Sequence, residues 1–120
     1  MTGPSGSGKS DLALRLIHQG GCLIADDQFY IKDHKIAHCP PELKGKLEVR
    51  GLGIISQPFE ISWPIHLELC LMDSHKIKRM PDIEWGQPWT KIPFDPFQQS
   101  AIARLDILCG LLLKQYELVA

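Results

Sequence analysis

Apolar positions along the chain recur at two spacings. Leu12, Ala13, Leu16 and Ile17 share one face at helical spacing, and Ser10 and Asp11 suit the start of that helix. Gly20-Gly21 ends it. Ser100 to Tyr116 predicts a second helix, its apolar face built from Ile102, Leu105, Leu108 and Leu112. Between the helices, Cys22-Leu23-Ile24-Ala25 is a short unbroken apolar run, the pattern of a buried strand, and it delivers Asp26-Asp27 at its C-terminal end. Phe29-Tyr30-Ile31 continues as extended chain, and Asp33-His34 predicts a turn into Lys35-Ile36-Ala37. Ile65 to Leu71 alternates, as a half-exposed strand does. Leu47 to Ile55 holds Gly51 and Gly53, which suggests a loop where backbone comes close to a ligand or another strand. Pro40-Pro41 breaks the chain, and four prolines make residues 73–97 read mainly as loops. These elements predict an α/β fold with a mixed sheet, in one domain spanning residues 1–120.

Composition narrows the function. Hydrophobic residues make up 44% and charged residues 22%, values of an ordinary soluble domain. The net charge of -1 provides no field to recruit polyanions, so no nucleic-acid partner is expected. Ile107 to Leu113 is the longest apolar stretch near the C-terminus; it is too short to span a bilayer and is broken by Gly110, so no membrane partner is expected. Cys22, Cys39, Cys70 and Cys109 form no C-x-x-C pair and read as reduced, mostly buried thiols of a cytoplasmic protein. The five histidines have no helical metal spacing, and the three tryptophans read as packing residues.

The chemistry concentrates at the start of the chain. Gly3-Pro4-Ser5-Gly6-Ser7-Gly8-Lys9-Ser10 meets G-x-x-x-x-G-K-[ST] in full. Glycines let the backbone N–H groups approach a polyphosphate and take positive φ angles. The helix that follows points its positive end at the same place. Lys9 supplies a cation to the β- and γ-phosphates, and the Ser10 hydroxyl is a Mg²⁺ ligand. The expected ligands are therefore ATP and Mg²⁺. A strand normally leads into such a loop, but only Met1 and Thr2 precede it here. The fold is therefore expected to lack that strand, as an N-terminally truncated domain would.

Asp26 and Asp27 form the second candidate site. Paired carboxylates at a strand end call for a cation or a shared proton. After a P-loop, one can hold Mg²⁺ or its water, and the other can accept a proton from an attacking hydroxyl. Glu48 and Arg50 flank Gly51-Leu52-Gly53, and strand alternation would put both on one face. They are either a Mg²⁺ ligand with a phosphate-binding guanidinium or a plain surface ion pair; spacing leaves both open.

These residues resemble the catalytic domain of HPr kinase/phosphorylase, in the short form of alphaproteobacteria. The match runs from Gly3 to Ile17, through Leu23-Ile24-Ala25-Asp26-Asp27, to Glu48-Val49-Arg50-Gly51-Leu52-Gly53-Ile54, which is similar to the family's E-x-R-G-L-G-I stretch. Arg79-Met80-Pro81 and Asp95-Pro96-Phe97 are similar as well. The resemblance implies the P-loop fold shared with phosphoenolpyruvate carboxykinase and transfer of phosphate from ATP to a serine of the phosphocarrier protein HPr, with phosphorolysis as the reverse. It implies that Asp27 is the general base, that Lys9 steadies the phosphates, that Ser10 and Glu48 hold Mg²⁺, and that Arg79 is a catalytic arginine. It also implies a hexameric assembly. A P-loop kinase of a small metabolite and a non-catalytic ATP-sensing module are the rival readings.

Overall fold

The computed structural model describes residues 1–81, 83–86 and 88–115. Its elements in chain order are helix α1 (Lys9–His18), strands β1 (Tyr30–Lys32), β2 (Ile36–His38), β3 (Lys46–Val49), β4 (Gly53–Ser56), β5 (Ser62–Pro64), β6 (Leu67–Leu71) and β7 (Thr90–Phe94), and helix α2 (Ala101–Leu112). Short 3₁₀ turns cover Pro41–Leu43 and Ser74–Lys76.

The expected mixed sheet resolves into three small sheets. β6 and β7 pair in parallel, with Leu69 opposite Ile92. Thr2 joins the other edge of β6: its N–H donates to the Leu69 carbonyl at 2.9 Å, and its carbonyl accepts from the Leu71 N–H at 2.7 Å. The strand expected to be missing before the loop is thus present as one ladder position, Thr2 beside Cys70. Glu84 bridges β7 on its outer side in antiparallel sense, opposite Lys91. The other two sheets are antiparallel: β1-β2-β5, and the β3-β4 hairpin.

Two readings of strands need correction. Residues 22–25 form no strand; Leu23 alone makes a bridge, with Phe59, and the Glu60 N–H donates to its carbonyl at 2.8 Å. Residues 73–97, read as loops, contain β7. Pro93 misled that reading, since proline cannot donate to a ladder. Its neighbours explain why it is tolerated. The Lys91 N–H donates outward, to Glu84, whereas the Thr90 N–H donates inward, to His66. Alternation puts the nitrogen of Pro93 on the Lys91 side, away from β6.

The turn predicted at Asp33-His34 is there. Both residues take positive φ, 52° and 64°, and the Lys35 N–H closes on the Lys32 carbonyl. Positive φ at both central positions matches the twist of the flanking strands, and with Lys32 opposite Ile36 the connection has three residues, Asp33 to Lys35. Leu47 to Ile55 is likewise a hairpin, not a loop.

The core lies between α1, α2 and the parallel pair. Leu12 of α1, Leu69 and Leu71 of β6, Phe94 of β7, and Ala101, Leu105 and Leu108 of α2 are buried together. The predicted second helix forms, with Leu105 and Leu108 inward; Tyr116 lies outside the described residues. All four cysteines are free thiols, but Cys39 is buried while Cys22 and Cys109 are exposed. Trp63 and Trp85 are exposed too, against the packing role expected of them. Among the described residues, no helix is long and apolar enough to cross a membrane.

Candidate functional site

The glycine-rich turn sits between the Thr2 ladder position and the first turn of α1. Gly8 caps α1 with φ 94°, and Gly3 and Gly6 are also positive, at 151° and 79°. These values favour glycine. The Ser7 N–H closes the turn on the Pro4 carbonyl at 3.1 Å. Lys9 folds inward: its ammonium donates to the carbonyls of Gly3 at 2.6 Å and Pro4 at 3.1 Å.

A cavity of about 780 Å³ opens beside this turn. Of the eight residues assigned to phosphate, Ser5, Gly6, Gly8, Lys9 and Ser10 line it. Gly3, Pro4 and Ser7 do not. Gly3 and Pro4 take part through the carbonyls that receive Lys9, and the Ser7 hydroxyl is buried without a partner against Gly3, where a Cβ would come within 2.7 Å of it.

The acidic pair divides its work. Asp26 accepts from the Ser10 hydroxyl at 3.1 Å on one carboxylate oxygen and from the Glu48 N–H at 3.0 Å on the other. It therefore joins the start of α1 to β3. Asp27 has φ 73°, an uncommon conformation for a residue with a side chain. It lines the main cavity and also a second one of about 350 Å³, bounded by Gln28, Phe29, Tyr30 and Pro40.

Glu48 and Arg50 both line the main cavity, although Arg50 lies past the end of β3 in the hairpin turn. Arg79 is not brought in. It is exposed on the segment after the second 3₁₀ turn and lines neither cavity.

Two further lining residues had no site role assigned from sequence. Leu14 and Phe97 line the cavity, Phe97 from the loop after β7. That loop is fastened to α1. The Arg15 guanidinium donates to the Pro96 carbonyl and also to Asp11, at 3.1 Å. Asp95 accepts the Phe97 N–H at 2.9 Å and the Ser74 N–H at 3.1 Å. The Phe97 N–H is the main reason that the Asp95 carboxyl is held below its usual range; burial opposes this, and Ser74 and the Arg104 charge add to the lowering. The Asp95-Pro96 turn chemistry was legible, but nothing local says which element it covers.

Hard oxygen donors suit Mg²⁺, which binds through one or two carboxylates and completes its shell with water and phosphate. Ser10, Asp26 and Glu48 supply such donors. Among the described residues no group of three or more His, Cys, Asp or Glu could hold a metal by itself, and a phosphate-bound Mg²⁺ needs none.

The fold and this site define an α/β domain arranged around a glycine-rich turn at a helix start. The chain belongs to the family described as HPr Serine kinase C-terminal domain, whose sequence model matches residues 1–60. HPr kinase/phosphorylase of Bordetella petrii is 51% identical over 61 residues, covering 46% of this chain and 19% of that protein. The Clostridium tetani protein of the same name is also 51% identical over 61 residues, covering 48% of this chain and 20% of that protein. The matched part thus spans about a fifth of these relatives. The solved HPr(Ser) kinase/phosphatase from Coxiella burnetii superposes with a TM-score of 0.72 over 95% of this chain and 82% of that one, at 24% identity, and shows the likeness of fold.

Proposed function

We propose that this chain is the catalytic part of a cytoplasmic kinase that moves the γ-phosphoryl group of ATP to a serine of an HPr-type phosphocarrier protein, in the regulation of carbon metabolism. The observation that carries the reading is the position of Asp27, between the cavity beside the glycine-rich turn and a second cavity. Polyphosphate in the first and an acceptor hydroxyl at the second would meet at this carboxylate.

In the proposed step, the serine oxygen bonds to the γ-phosphorus while the bond to the β–γ bridging oxygen breaks, and the serine proton passes to Asp27. Lys9 and the amides of Gly6 and Gly8 hold the phosphates. Ser10 and Glu48 would hold Mg²⁺, with Asp26 orienting Ser10, and the ion would supply charge to offset that of the phosphates. In phosphorolysis, Asp27 would return the proton to serine. Kinship with the phosphoenolpyruvate carboxykinase fold is part of the same proposal. Homo-oligomer formation is supported by apolar side chains left exposed, Leu52 at 82%, Ile54 at 72% and Trp63 at 60%.

The test is transfer of label from γ-labelled ATP to HPr. Transfer is expected with the native chain, and Asp27→Asn should abolish it while ATP still binds. The second cavity would also admit a small metabolite, so label appearing only on a small hydroxyl compound would move the assignment to a metabolite kinase. ATP binding without transfer to any acceptor would mark a sensing module.

A further inference from the structure

The main cavity is lined by two unlike kinds of surface. One is amide-lined and cationic, from the glycine-rich turn; the other is hydrocarbon, from Leu14 of α1 and the ring of Phe97, which lies against Gly8. Phe97 is 66% exposed, yet it is not loose. Its N–H is held by Asp95, the carbonyl before it by Arg15, and its ring rests on Gly8 so closely that a Cβ there would come within 3.0 Å of Cζ. A ring that is fixed in place and still open to a cavity is a preorganised surface for a flat ligand.

Topology points the same way. Thr2, β6 and β7 run in parallel. The segments that follow them, including the glycine-rich turn and Asp95–Phe97, therefore gather at one edge of the sheet. Open α/β sheets bind ligands at that edge.

We propose that Phe97, in a cavity that Leu14 also lines, is the platform for the base of the nucleotide whose phosphates occupy the glycine-rich turn. This rests on the phosphate-binding reading and adds the residue that distinguishes a nucleotide from bare polyphosphate. The platform contributes stacking and apolar contact, which tolerate different bases, so its effect is on nucleosides as a class.

Calorimetric titration of the 120-residue chain with ATP and with inorganic tripolyphosphate, which has the phosphates and no base, tests this. Phe97→Ala is expected to weaken ATP about tenfold, leave tripolyphosphate unchanged, and regain ATP affinity as Phe97→Trp. ATP affinity unchanged in Phe97→Ala would overturn the proposal. Equal loss for both ligands would overturn it as well, since Phe97 would then act through its contact with Gly8. If the native chain bound neither ligand, or Lys9→Ala left both unaffected, the phosphate-binding reading itself would fall, and the platform with it.

Discussion

Gly8 meets two demands in one residue. Its φ of 94° suits glycine, and Pro96 and Phe97 press on the place a Cβ would take, at 2.9 and 3.0 Å. Gly20 shares the φ of 94° but has nothing within 4 Å of that place. Gly20→Ala is therefore expected to cost about 1 kcal/mol from strain alone, and Gly8→Ala clearly more, because the ring and the proline must also shift. Urea denaturation of both variants checks the order; equal losses would mean that the Phe97 loop moves aside freely. Asp95 makes a separate prediction. Its carboxyl is held below the usual range in the folded chain, mainly by the Phe97 N–H, so the stabilisation is fully present above the ordinary aspartate pKa of about 4 and is lost as pH falls through the lowered value. Asp95→Asn should remove part of the acid slope of stability below about pH 4 and leave the slope near pH 7 alone. Legibility in the sequence differed sharply among these residues. Gly3 to Ser10 could be read because the motif is local, and Asp27 because it follows one helix later. Phe97 could not, since its approach to Gly8 depends on how β7 and α1 meet the sheet.

At the scale of elements, α1 was readable at both ends. Gly20 and Gly21 return their N–H groups to the carbonyls of Ile17 and Leu16 at 3.0 and 2.8 Å, the crossed pair of bonds that ends a helix in a left-handed residue. β7 was not readable, because proline inside a strand argues against the strand unless one knows which way its nitrogen faces. That direction can be tested. The nitrogen of Pro93 faces away from β6, so Pro93→Val should change stability by no more than about 0.5 kcal/mol. Ile92 follows the inward alternation of Thr90, so Ile92→Pro should break the β6–β7 ladder and lower the denaturation midpoint far more. The apolar run at residues 22–25 failed as a strand for a related reason. Its burial is real at Leu23, but only that residue finds a strand-like partner, in Phe59. Periodicity reports burial and leaves the pairing partner unspecified.

Across the whole molecule, the site stands on unequal supports. The glycine-rich turn and Phe97 rest on the part that holds the core: Leu12 is fully buried, and Leu69, Leu71, Phe94, Leu105 and Leu108 pack with it. Asp27 leads instead into the β1-β2-β5 sheet, whose strands have no buried residue. Elements with few buried apolar contacts open locally at small free-energy cost, whereas core strands exchange their amide protons only with global unfolding. Hydrogen exchange should therefore separate the two. The Cys70 and Ile92 amides, which lie between β6 and β7, should be protected to the global limit, with the Ala37 and His38 amides of β2 faster by orders of magnitude. Leu12→Ala tests the coupling. Its loss of about 2–5 kcal/mol should speed Cys70 and Ile92 in full proportion and leave His38 nearly unchanged, because local opening of the hairpin does not pass through the core. Uniform acceleration of all four amides would mean that the two parts unfold as one, and that Asp27 is held as firmly as the turn it is proposed to serve.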